Sequence, residues 1–266
     1  MPASVAATDI WKSYPGNNGT PLSIMEGISI AAAEGEFVAL VGPSGCGKST
    51  LLNMLVGFER PDRGSITVNG AAIAGPSPRG VLITQKGSVF PWLSARRNLT
   101  FVLNGVDHKE QIRLAREYLE LVGLEAFGLS KPYQLSGGML QRLEVARALV
   151  VKPDVLYMDE PFGALDALTR LRMRTELLRI LSRERHTTIL VTHDVEEAIA
   201  LADRVIVFSA RPMRIVAEVA IRQPHPRSMA SAETVALRQR ILAALGLSLD
   251  EEVAAGQDRQ PIDHIA

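Results

Sequence analysis

The chain is short of several things, and each shortage removes a class of explanation. It has a single cysteine, Cys46, in 266 residues, so it can form no internal disulfide and no cysteine-based zinc site, and a reducing compartment suits it. It has no excess of either charge. Lys plus Arg and Asp plus Glu number 29 each, which leaves no net-charge argument for a nucleic acid or an anionic membrane surface as partner. Nothing along it approaches the ~18 apolar residues of a membrane-spanning helix. Met1 to Asp9 has neither a basic residue nor an apolar core of signal-peptide length. The chain is therefore expected not to cross a membrane. Aromatics are scarce at 5%, yet 47% of residues are hydrophobic, enough for one large α/β domain or two small ones around an aliphatic core. It shows no internal repeat and no low-complexity run.

What is there begins with Val41-Gly42-Pro43-Ser44-Gly45-Cys46-Gly47-Lys48-Ser49-Thr50. An apolar run, Phe37 to Val41, precedes it and a helix-like run, Thr50 to Val56, follows, so the spacing G-x-x-x-x-G-K-S falls at a strand-to-helix turn. That context suits a phosphate cradle better than a glycine-rich turn with an exposed lysine. The glycines let backbone N–H groups turn inward, the new helix offers its positive end, Lys48 can reach the terminal phosphates, and the Ser49 hydroxyl can ligate magnesium. Cys46, at that helix start, is expected to be alkylated unless nucleotide covers it.

Short strands are expected at Ile10 to Tyr14 and Ile28 to Ile30, separated by the turn-rich Pro15-Gly16-Asn17-Asn18-Gly19. Trp11 and Tyr14 could each stack on a base or sit in the core. A turn at Pro61 to Gly64, a strand at Ser65 to Val68 and a hairpin signal at Asn69-Gly70 complete a small antiparallel layer. Further strands at Val81 to Thr84, Val155 to Glu160, Thr187 to Thr192 and Arg204 to Phe208 alternate with helices at Asp166 to Arg183 and Val195 to Ala202, the pattern of a mainly parallel sheet. Helix-like segments at Lys109 to Val122 and Gly138 to Val151 make the interval from about 86 to 151 a helical insertion. Within it, Phe90-Pro91-Trp92-Leu93 is an apolar cluster that either docks a partner or packs in the core. Ala232 to Leu245 places Val235, Ile241, Leu242 and Leu245 on one helical face, stopped by Gly246, and Gln257 to Ala266 is expected to fray. Asp159 and Glu160 end a strand where ligands bind in parallel α/β sheets. Adjacent carboxylates there can be mere caps. Beside a phosphate cradle, Asp159 suits a magnesium ion and Glu160 suits orienting and deprotonating an attacking water.

With Leu135-Ser136-Gly137-Gly138-Met139-Leu140-Gln141-Arg142 added, the chain resembles the ATP-binding-cassette (ABC) ATPases from about Ile10 to Arg222. Ser136, Gly137 and Gly138 open a second helix whose N-terminus can bind an anion. The resemblance implies an α/β P-loop NTPase with a RecA-like parallel-sheet core, an antiparallel β layer and a helical subdomain. It implies a nucleotide-binding domain over residues 1–230, followed by a helix and tail over 231–266. ATP and Mg2+ are the implied cofactors. Tyr14 matches the aromatic that stacks on adenine, and Gly42, Pro43, Ser44, Gly45, Cys46, Gly47, Lys48, Ser49 and Thr50 match the Walker A loop. Gln85 matches the Q-loop glutamine, placed with Ser49 and Asp159 on the metal side. Asp166 matches the D-loop aspartate and His193 the switch histidine, so that Glu160, His193 and Lys48 form the catalytic set.

Pro91-Trp92-Leu93, the LSGGM-x-QR signature and Glu160 to Asp166 look like the nitrate, sulfonate and taurine importer group, with Met139 in place of the commoner Gln and Lys86 where an acidic residue is frequent. That similarity implies a cassette at the cytoplasmic face of the inner membrane. It would pair with a second cassette and with permease subunits, and indirectly with a substrate-binding protein, to take up a small solute, an anion of the nitrate, sulfonate, taurine or bicarbonate type. Two other readings fit less: an ATP-driven dimerisation switch without import, which usually has two cassettes or a coiled-coil insertion, and a small-molecule P-loop kinase.

Overall fold

The computed structural model describes residues 1–16, 20–77, 79–85, 87–163, 165–183 and 185–247; the expectations for Asn17 to Gly19, Lys86 and Gln257 to Ala266 fall outside them. Two sheets carry the fold. The first is antiparallel, in the order β2 (Pro21–Ala32), β1 (Val5–Pro15), β4 (Arg63–Val68), β5 (Ala71–Ala72). The second runs β10 (Ile215–Ala220), β9 (Arg204–Phe208), β3 (Phe37–Val41), β8 (Thr187–Thr192), β7 (Val155–Asp159), β6 (Gly80–Ile83), parallel throughout except for β10.

Every residue of β3 and β8 is buried, as strands covered on both faces must be, and both read as unbroken apolar or β-branched runs. Because side chains alternate across a strand, β3 feeds two cores. Val38 and Leu40 meet α1 (Lys48–Val56) and the antiparallel layer through Leu51, Leu55, Ile10 and Met25, whereas Ala39 and Val41 join the core on the opposite face. That second core takes in α2 (Ala95–Val102), α3 (His108–Leu121) and α4 (Gly137–Leu149), which lie between β6 and β7 in the chain. The layout closes with α5 (Ala167–Leu181), α6 (Val195–Leu201) and α7 (Ala232–Ala244), which packs on α6 and β10 through the fully buried Ile241.

Several boundaries differ from the sequence expectation. β1 and β2 run to 11 and 12 residues, because pairing along their length carries them through irregular register near Thr8 and Asp9. The turn expected at Pro61 to Gly64 gives way to β4 at Arg63; Gly64, at φ 93°, passes so close to β1 that a Cβ there would lie 2.3 Å from the Asp9 carbonyl oxygen. The hairpin at Asn69-Gly70 is present, with both φ values positive. α2 and β10 have no counterpart in the sequence reading: α2 is short and polar apart from one face, and β10 is an edge strand with a half-exposed pattern. Among the described residues no helix is long and apolar enough to cross a membrane.

Candidate active site

The turn from β3 into α1 is built on glycines that admit no side chain. Gly45 and Gly47 hold φ of 73° and 126°, and a Cβ on Gly47 would sit 2.7 Å from the Ile24 side chain. No acidic residue of α1 itself lies in its first turn. Ser44, Gly45, Gly47, Lys48, Ser49 and Thr50, with Glu160, surround a concavity of about 190 Å³. The buried Lys48 curls under the loop, donating from Nζ to the carbonyls of Gly42 at 2.7 Å and Pro43 at 2.9 Å. Cys46 does not line this concavity. Its side chain is 2% exposed, with Sγ 3.9 Å from the Met213 sulfur, which corrects the expectation of ready, nucleotide-blocked alkylation.

At the end of β7, two strands across from β3, the carboxylates separate in role. Asp159 Oδ1 accepts from the Ser49 hydroxyl at 3.0 Å. Burial pushes the Asp159 carboxyl above its ordinary pKa and the Glu160 charge pushes the same way, against the Ser49 hydrogen bond and the Lys48 charge. A hydroxyl and a carboxylate converging beside a phosphate-sized concavity are hard oxygen donors of the kind Mg2+ takes, so the residues present fit that ion. Glu160 lies just outside the strand at φ 46°, a conformation that costs a non-glycine residue ~1–3 kcal/mol, with its N–H held by the Val191 carbonyl at 2.9 Å. The bend turns its carboxylate between two loops: Oε1 lies 3.1 Å from His193 Nδ1, and Oε2 accepts from Gln85 Nε2 at 3.4 Å. Gln85 therefore meets Glu160, while Ser49 and Asp159 meet each other.

Tyr14 stands beside the loop. Its hydroxyl donates to Glu59 Oε1 at 2.5 Å and lies within reach of Thr50, and burial followed by Glu59 raises its pKa. The Lys12 ammonium is 5.4 Å from its ring centroid. Ser136, Gly137 and Gly138 are not part of this concavity. The Ser136 hydroxyl caps α4 by accepting from Met139 N–H at 3.3 Å, and the three line a separate cleft of about 610 Å³ with Leu165, Asp166 and Thr169. Asp166 caps α5, and its hydrogen bonds from Thr169 hold its pKa low.

Other residues that shape the site escape a sequence reading. The fully buried Asn98 accepts from Phe90 N–H at 2.8 Å and donates to the carbonyls of Phe90, Leu93 and Ser94, which fixes the loop that displays Trp92. Glu144 and Arg147 of α4 hold Ser88, shortly after Gln85, and the Arg147 guanidinium lies 5.1 Å from the Phe90 ring centroid. Phe90 packs between Trp92 and Phe101, which are 67% and 62% exposed, at the rim of a cleft of about 310 Å³. Arg147 follows Glu144 by one helical turn, a spacing that hints at a shared task; nothing in the local pattern of Asn98 does.

A phosphate-binding turn between strand and helix, with a hydroxyl and carboxylates converging from the sheet's strand ends, is the arrangement of P-loop ATPases. Within that class the chain belongs to the ABC transporter family, whose defining region matches residues 25–163, and it is an ABC ATPase. It is 45% identical over 226 residues to an ATP-binding protein of Brucella abortus, covering 83% of this chain and 87% of that one. A bicarbonate transport ATP-binding protein of Synechocystis is 40% identical over 221 residues, covering 82% of this chain and 78% of that one. An aliphatic sulfonates import ATP-binding protein of Bacillus cereus is 38% identical over 239 residues, covering 90% and 94%. A bacterial ABC transporter cassette solved as a dimer superposes with a TM-score of 0.71 at 28% identity, over 83% of this chain and all of that one. The same cassette in a post-hydrolysis state bound to ADP and Pi gives 0.70.

Proposed function

We propose that this chain is the ATP-hydrolysing subunit of an importer for a small anion of the nitrate, sulfonate, taurine or bicarbonate type. The observation that carries the hydrolytic part is the pairing at the strand ends: Ser49 with Asp159, and Gln85 and His193 on either side of Glu160. Lys48 and the loop N–H groups receive the β- and γ-phosphates, and Tyr14 stacks on adenine. Ser49 and Asp159 would hold Mg2+, which would supply charge neutralisation for the phosphates. Glu160 aligns the attacking water and takes its proton, with His193 holding the carboxylate in place. Ser136, Gly137 and Gly138 line a cleft separate from this cradle, which supports a head-to-tail pair in which they meet the nucleotide of a second cassette. ATP then binds the closed pair more tightly than the open one, and hydrolysis reverses the preference.

The import part rests on the names of the bicarbonate and sulfonate relatives and on the aromatic cleft around Phe90, Trp92 and Phe101, which suits a short helix of a permease. The working place is then the cytoplasmic face of the inner membrane, with a substrate-binding protein acting through the permease. The test is detergent-solubilised copurification of the tagged chain, followed by ATPase assay after reconstitution. A permease whose presence raises hydrolysis, further stimulated by an anion-loaded binding protein, is expected. ATP-dependent dimerisation with no membrane partner would transfer the chain to the class of soluble switches.

A further inference from the structure

Between the two loops that flank Glu160 lies a charged cluster with a specific wiring. On one side, just after the catalytic strand end, Gly163 N–H donates to the Glu160 carbonyl at 3.1 Å and Leu165 N–H donates to the Phe162 carbonyl at 3.1 Å. On the other is the turn at His193, which runs from β8 into α6 and is closed by Asp194: its N–H donates to Thr192 Oγ1 at 3.0 Å, and its Oδ1 accepts from Glu197 N–H at 3.0 Å. A single side chain spans them. Arg170 Nη2 donates to the Leu165 carbonyl at 3.0 Å, while Nη1 reaches Asp194 Oδ2 at 3.4 Å. Arg174, one turn further along α5, grips the same Asp194 oxygen, so the His193 turn is anchored to α5 twice and Leu165 once.

The wiring runs as a chain of contacts: Phe162 to Leu165, Leu165 to Arg170, Arg170 to Asp194, and, next to Asp194, His193 to Glu160. Guanidinium is suited to this position, because its planar fork carries donors on separate nitrogens, one toward Leu165 and one toward Asp194, whereas an ammonium's donors all radiate from a single nitrogen. The Nε atoms of Arg170 and Arg174 and Oε1 of Glu197 are buried without a hydrogen-bond partner, so the cluster is not a saturated structural network. We propose that Arg170 is a positioning residue that couples Leu165 to the His193 turn, so that the two approach the hydrolytic site as one unit. The proposal rests on the role given above to His193 and Glu160. Arg170 touches no substrate atom; it acts through the backbone of Leu165 and through Asp194.

The test is steady-state ATP hydrolysis by the full chain bearing Arg170→Lys, Arg170→Gln, His193→Ala, and Arg170→Lys with His193→Ala, with thermal midpoints measured alongside. Arg170→Lys, which keeps the charge but loses the fork, is expected to lower kcat about 10- to 100-fold, with KM for ATP within about 3-fold and the midpoint near wild type. The double variant is expected to fall well short of the product of the two single losses, because both act on one arrangement. Arg170→Lys at wild-type kcat, losses that multiply, or kcat falling only as the thermal midpoint falls would each overturn the coupling. His193→Ala at wild-type kcat would overturn the role of His193 itself and this proposal with it, an outcome distinct from the others.

Discussion

Glu160 and Glu197 are both carboxylates near one turn, and their surroundings set them to different tasks. Glu160 sits in the left-handed region at the mouth of the concavity, shared between His193 and Gln85, where a carboxylate can take a proton from water. Glu160→Gln keeps the shape and removes the carboxylate proposed as the base. It is expected to retain ATP binding while turnover falls by roughly 100- to 10,000-fold, and to accumulate as an ATP-bound dimer, as single-turnover phosphate release and gel filtration would show. Glu197, by contrast, is buried, accepts from Thr192 Oγ1 at 2.5 Å, and has its pKa pushed up to about 7 by burial, with the charge of Asp194 adding and the Thr192 hydrogen bond, Arg174 and Arg170 opposing. The folded chain therefore keeps a proton there that the unfolded chain gives up nearer 4.5. Its contribution to stability is full below that lower value and is lost as pH rises through the folded-state value. The thermal midpoint is expected to decline over that window in wild type, and the decline should be smaller in Glu197→Gln, as thermal melts of the two proteins across the window would show.

At the scale of elements, local side-chain work decides how loops are displayed. The Phe90 to Ser94 loop has no strand or helix of its own to pair its backbone, and the buried amide of Asn98 on α2 does that instead. Asn98→Ala leaves the Phe90 N–H and three carbonyls to find other partners, at ~1–3 kcal/mol for each group that stays buried. Urea unfolding should show a loss of at least ~2 kcal/mol, and the emission of Trp92, one of two tryptophans in the chain, should report a more mobile ring. A similar service links the segment after Gln85 to the helix that begins at Ser136, through Glu144 and Arg147. Burial pushes the Glu144 carboxyl up and the Arg147 guanidinium down, so the pair is sensitive to whatever covers that cleft.

Across the whole molecule, the cradle and the aromatic cleft occupy different surfaces, with no lining residue in common. Changes in one should leave binding at the other intact. Trp92→Ala is expected to lose copurification of a permease while ATP still raises the thermal midpoint, by an amount that corresponds to about 2.7 kcal/mol when nucleotide is at 100 times its Kd. Lys48→Ala should do the reverse. A single variant that abolishes both effects without unfolding would mean that the cleft forms only around bound nucleotide.

The sequence by itself determined the class of protein, because a phosphate turn depends on contiguous residues: the glycines, Lys48 and Ser49 must follow one another for the backbone to curl, and their spacing is visible without a fold. It also marked β3, β7, β8 and β9, whose burial on both faces demands unbroken apolar runs. Only the tertiary structure decided what depends on distant segments meeting. Ser49 reaches Asp159, Gln85 and His193 meet at Glu160, and Arg170 spans Leu165 and Asp194, because β7 and β8 lie side by side and end at the same edge. Asn98, Arg170 and the inward turn of Cys46 were illegible for the same reason. A short polar helix face, an arginine in a helix and a cysteine in a loop have no periodicity of their own, and their partners lie on other elements.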